Sequence, residues 1–140
     1  MNVELRKYLQ MLGDENNCKK GDMITNIGLL LEKNNSHENP TDYSLLLPAE
    51  LLNLSLTAKD ADEIIDCLLL ILKEEPAYSN RIVWSVGKTF DEKKVELLLQ
   101  TILQTKFCDE ETFSQILFLV DVVKNDHINE LVHKLEFLRK

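Results

Sequence analysis

Along most of the chain, apolar residues recur at i, i+3, i+4 and i+7, the period of an amphipathic helix. After Thr57, the stripe Ala61, Ile64, Ile65, Leu68, Leu69 and Leu72 predicts a helix over 58–74, which Pro76 ends. Ile82, Val83 and Val86 predict a helix over 80–90 behind a Ser79 cap. Val95, Leu98, Leu99 and Ile102 predict one over 92–105 behind Asp91. Phe113, Ile116, Leu117 and Val120 predict one over 110–124 behind Asp109. Ile128, Leu131, Val132, Leu135 and Leu138 predict the last, over 127–138 behind Asp126. Each cap offers a side-chain oxygen to amides that the first helical turn leaves unpaired.

The N-terminal part is less regular. Val3, Leu5, Tyr8, Leu9 and Leu12 predict a helix over 2–12, stopped by Gly13 and the polar run 14–20. Asp22 is an N-cap candidate for a second helix that carries Met23, Ile24, Ile27, Leu30 and Leu31. The polar run 34–41 reads as a loop. In 42–56, Pro48 suits the first turn of a short helix and forces a break at Leu47, so this stretch reads as two short pieces.

The stripes repeat. Ile65, Leu68, Leu69, Leu72 returns thirty residues later as Val95, Leu98, Leu99, Ile102, and thirty-three later again as Ile128, Leu131, Val132, Leu135. Ile82, Val83, Val86 returns thirty-four residues later as Ile116, Leu117, Val120. Two helix positions therefore alternate, as in stacked helical hairpins. The segment Trp84-Ser85-Val86-Gly87-Lys88, through Asp91, to Val95-Glu96-Leu97-Leu98 resembles a HEAT-type repeat. The resemblance covers 79–105 by motif, and 58–74 and 110–138 by periodicity. It lacks the proline usual in the first helix, and 1–56 does not follow the spacing. The expected fold is one all-α domain over 1–140, built from stacked antiparallel hairpins as a HEAT-like short solenoid or an irregular helical bundle.

Composition adds limits to this picture. Four glycines and three prolines in 140 residues are sparse punctuation for a sheet-rich fold. The formal charge of −8 disfavours phosphate backbones and anionic membranes, so neither nucleic acid nor a membrane is expected as a partner. Residues 34–66 hold Glu38, Asp42, Glu50, Asp60, Asp62, Glu63 and Asp66 against the single base Lys59, a local charge of −6. Cys18, Cys67 and Cys108 are odd in number and without metal-ligand spacing. With no basic-then-apolar leader at the start of the sequence, they point to a reducing, cytoplasmic setting.

No constellation for catalysis, cofactor or metal stands out, and a non-enzyme is expected. The glycines never cluster into a phosphate loop. His127 and His133 fall on different helix faces, and Glu130-x-x-His133 lacks the second copy that a di-iron bundle uses. His37 stands alone in the polar run. Cys108, before a helix start, reads as a boundary thiol beside the Asp109 cap. Binding candidates are clearer. Asp62, Glu63 and Asp66 turn away from the buried stripe of their helix, and Glu74 and Glu75 stand at its C-terminus, where the helix dipole disfavours acids. Trp84 and Tyr78 are candidate anchors, because aromatic residues are enriched where partners bind.

In whole-chain character the protein resembles the immunity proteins of contact-dependent growth inhibition and other polymorphic toxin systems. That resemblance implies a cytoplasmic inhibitor of a cognate toxin domain, often a basic nuclease, that occludes its active site or substrate access. The alternative is a small helical-repeat adaptor or regulatory module. Oligomeric state is left open.

Overall fold

The computed structural model describes residues 2–35 and 42–138. Among them are eight α-helices: α1 (Val3–Leu12), α2 (Lys20–Asn35), α3 (Ala49–Leu52), α4 (Ala58–Glu74), α5 (Ser79–Gly87), α6 (Glu92–Thr105), α7 (Glu110–Val122) and α8 (Asp126–Leu138). Single 3-10 turns stand at Tyr43–Leu45 and Pro76–Tyr78. The fold is all-α. Residues 36–41, most of the expected 34–41 loop and including His37 and Glu38, lie outside the described residues.

The caps explain most boundaries. Thr57 and Asp60 form a reciprocal capping box at the start of α4. Asp91 accepts the Lys94 amide at 3.1 Å and Asp109 the Thr112 amide at 2.8 Å, as expected for α6 and α7. Three expected caps move. Asp22 lies inside the first turn of α2, which begins two residues earlier, where Lys20 turns inward to an ion pair with Glu75. Ser79 is the first residue of α5 rather than its cap, and its hydroxyl donates to the Pro76 carbonyl at 2.6 Å. Asn125, not Asp126, accepts the Ile128 amide at 2.8 Å. Its amide nitrogen meanwhile donates to Glu92 and Glu96 of α6. α2 also runs to Asn35 because tertiary partners hold its end: Asn34 accepts the Leu56 amide, and Asn35 donates to the carbonyls of Lys88 and Thr89. α5 stops at Gly87, three residues early, and Phe90 takes a positive φ of 50° in the turn to α6. Pro48 sits at the cap of α3 with extended backbone, after the break at Leu47.

The helices pack in two rows. α5 lies between α2 and α7, and α6 lies between α4 and α8. The rows meet through α4–α5, α5–α6 and α7–α8 contacts, while α1 packs on α2 and α3. The stripes read from the sequence line the space between them: Ile64, Leu68, Leu72, Val95, Leu98, Leu99, Ile102, Ile128 and Leu135 are fully or almost fully buried. Burying each such side chain contributes roughly 1.5–3 kcal/mol. Leu117, expected in the stripe of α7, is instead about half exposed, since α7 turns Phe113, Ile116 and Leu119 inward.

Gly28 sets the spacing of α2 against α5, and Gly87 leaves room for Leu119 of α7. A Cβ at Gly28 of α2 would lie 2.6 Å from both Ser85 Oγ and Trp84 Cζ3 of α5, and 3.0 Å from Ser85 Cα. A Cβ at Gly87 would lie 2.9 Å from Leu119 Cδ1 of α7. The close approach of α2 and α5 lets the buried Ser85 hydroxyl donate to the Ile24 carbonyl at 2.8 Å. Gly28→Ala is expected to push α2 off α5 and cost ~1–3 kcal/mol, as overpacking does in a tight core. Urea unfolding followed by helical circular dichroism measures it; an unchanged midpoint would contradict this packing.

Candidate interaction surface

The acids of α4 divide by where the neighbouring helices stand. Asp62, on the side of α4 next to α6, has its carboxylate 3.2 Å from the Lys94 ammonium, which also meets Asp91 at 3.3 Å. Burial lowers the Lys94 pKa, but the hydrogen bonds and charges of Asp62 and Asp91 outweigh it and raise the pKa overall. Asp62, Asp66 and Asp91 open with Lys93, Lys94 and Leu97 onto one shallow groove between α4 and α6. Glu63 is half-buried and does not line that groove, so the structure brings together two of the three α4 acids.

Glu74 is exposed, whereas Glu75 is engaged in the fold. Its carboxylate pairs with the ammonium of Lys20, a side chain only 1% exposed. The same ammonium lies 6.0 Å from the centre of the Tyr78 ring, which is therefore half-buried against it. Nearby Cys67 is a partly buried thiol whose pKa burial raises, outweighing the opposite pull of the Lys20 charge. Two of the expected binding residues, Glu75 and Tyr78, thus take part in anchoring the start of α2 to the α4–α5 connection.

Trp84 has different surroundings. It is half-buried on α5, with the Lys88 ammonium 4.7 Å from its ring centre, a cation–π geometry. Lys88 is held there by Glu32 at 2.8 Å, and Glu32 also accepts the Tyr43 hydroxyl at 2.8 Å. Burial raises the Glu32 pKa, but these hydrogen bonds and the Lys88 charge outweigh it and hold the carboxyl below its usual range. Trp84 forms one wall of a cleft of about 350 Å³ between α5 and α7. The other wall includes Phe118 and Val122, 75% and 67% exposed, and Phe90 closes one end. Across Trp84 and Gln115 the cleft continues into a polar pocket lined by Thr25, Asn80 and Arg81. The Asn80 Oδ1 there is buried without a partner.

Phe90, Phe118 and Val122 are not among the binding candidates that the sequence pattern offers. Their signal is visible in α7, where Leu117, Phe118 and Val122 are apolar beyond the one stripe needed for packing. The two described histidines go to separate places, His127 3.3 Å from Glu96 and His133 4.0 Å from Glu136. Among the described residues no cluster of three or more His, Cys, Asp or Glu is placed to hold a metal, and no helix is long and apolar enough to cross a membrane. No family model, curated protein or solved structure matches the chain.

Two variants probe these contacts. Glu75→Gln leaves Lys20 buried without its counter-charge and is expected to cost roughly 3 kcal/mol, with Lys20→Met in the same chain restoring much of it. A double-mutant cycle from urea unfolding checks this; additive costs would mean the pair is uncoupled. Glu32 has a lowered folded-state pKa, so its contribution is present above the unfolded carboxylate value and is lost as pH falls through the folded one. Unfolding measured from neutral to acid pH should therefore show a smaller acid-side loss for Glu32→Gln than for the parent.

Proposed function

We propose that this chain is a binding protein of the immunity type, which neutralises a basic toxin domain, such as a nuclease, by occluding its active site or the path of its substrate. The observation that supports the reading is the groove between α4 and α6. There Asp62 and Asp66 stand exposed and, with Asp91, outnumber Lys93 and Lys94 by one along the groove, in a chain of net charge −8. An acidic surface on a pre-organised scaffold speeds encounter with a basic partner and orients it. Glu74 adds an exposed acid at the end of α4. Such an inhibitor acts in the cytoplasm, where its target would otherwise reach nucleic acid.

A second reading, a helical-repeat adaptor, is favoured by the aromatic cleft between α5 and α7, which lies on the other row of helices. An adaptor joins two partners through two faces. Co-purification of the full chain followed by mass spectrometry separates the readings: one small basic partner at equal stoichiometry supports the inhibitor, and several unrelated partners support the adaptor.

Changing Asp62, Glu63 and Asp66 together to Lys should leave helicity intact, because Asp62 and Asp66 are exposed, Glu63 is only half-buried, and a surface pair such as Asp62–Lys94 contributes about 0–1 kcal/mol. The association rate with the basic partner should fall by about tenfold or more at low salt and lose most of its salt dependence. Stopped-flow kinetics at two salt concentrations reads both. Unchanged association with the fold intact would remove this face from the interface.

A further inference from the structure

The cleft between α5 and α7 and its polar continuation are lined by cations and, among the described residues, by no carboxylate, with the counter-charges set behind them, Glu32 2.8 Å from Lys88 and Asp22 3.7 Å from Arg81. Among the described residues, the charged groups lining the cleft and its polar continuation are Arg81 of α5 and Lys88, the residue just after α5, with Trp84 between them. No carboxylate lines either part, although acids outnumber bases 24 to 16 along the chain. Arg81 is half exposed. Its guanidinium donates to Thr25 Oγ1 at 3.2 Å and lies 3.7 Å from Asp22, beyond hydrogen-bond reach. Of its five N–H donors, most stay available. Lys88 spends one N–H on Glu32 and keeps its charge above the Trp84 face.

The apolar part is equally specific. Phe118 and Val122 stand one turn apart on α7 and Phe90 is held outward by the positive-φ turn, so three large side chains are exposed around a floor that includes Leu119 and Val83. A surface that pairs a half-buried Trp with cations and exposed aromatics has the composition of binding hot spots.

We propose that this cleft docks a segment of another protein that carries an aromatic or branched aliphatic anchor next to aspartate or glutamate. The anchor enters between Trp84 and Phe118, and the carboxylate lies along α5 toward Arg81, with Lys88 adding favourable potential. Complementary charge selects this occupant over a basic segment. The site is separate from the acidic groove of α4 and α6, and its partner has the opposite charge.

The test is selection from a displayed library of random peptides of about twelve residues, long enough for an anchor and its flanks. The bait is the full chain, and Phe118→Ser is the counter-selection. Phe118 is largely exposed, so that variant keeps its fold, which circular dichroism verifies. Selected peptides should carry a large apolar residue beside Asp or Glu, and should shift the emission of Trp84, the single tryptophan. Their affinity should fall about tenfold or more in Phe118→Ser and in Arg81→Glu. It should be unchanged in the Asp62, Glu63 and Asp66 triple variant, so failure here and failure of the acidic-face reading are distinguishable. Enrichment of Lys and Arg beside the anchor would overturn the proposal, as would selection that does not depend on Phe118. A concentration-dependent dimer in sedimentation, lost in Phe118→Ser, would instead make the cleft an interface between two copies and also overturn it.

Discussion

The contact that the rest of the architecture leans on is the near-touching of α2 and α5, where Gly28 has no Cβ to hold the helices apart. Trp84 and Ser85 both press on that one position. Because the backbones come so close, the Ser85 hydroxyl reaches the Ile24 carbonyl and is satisfied although fully buried. The same approach limits how deep Trp84 can sink. One edge of its ring lies against α2, and the rest stays at the surface as the wall of a cleft. Gly87 repeats the device one helix further on, against Leu119 of α7. The spacing of α2 against α5, and with it the half-exposure of Trp84, thus follows from one missing methyl group at Gly28.

Charge in this chain serves two ends that the net value of −8 conceals. Some acids are spent inside the fold: Asp60 completes a capping box, Glu75 neutralises the buried Lys20, and Glu32 positions Lys88. Others remain at the surface, where Asp62, Asp66 and Asp91 open onto a groove of the second row. The bases divide the same way, with Lys94 partly neutralising that groove while Arg81 and Lys88 are left lining the first row's cleft. The two rows consequently present faces of different character, one acidic and shallow, the other aromatic and locally cationic. A two-row helical stack offers such faces at low cost, since each outer face carries little of the packing that holds the rows together.

The acidic groove and the aromatic cleft need not act alone. An inhibitor that meets a basic domain with one row and an acidic, apolar segment with the other would grip a single target at two points, or link a target to a second protein. Two weak contacts held at fixed separation raise the overall affinity well beyond either one. The rigid stacking of α4–α6 and α5–α7 supplies that separation.

What the sequence by itself determined is the helical class and the inward stripes. Their 3.6-residue period, and caps such as Thr57, Asp91 and Asp109, are local properties that a residue expresses with its neighbours in the chain. The tertiary structure decided the rest. It moved the start of α2, because Lys20 found Glu75 across the fold, and it fixed the cap of α8 at Asn125, whose side chain also donates to Glu92 and Glu96 of α6. It withdrew Glu75 and Tyr78 to the support of a buried ammonium, which only the meeting of α2 with the α4–α5 connection creates. And it gathered Phe90, Phe118 and Val122 around Trp84 from two helices and a turn, since a cleft belongs to the space between elements and has no period along the chain.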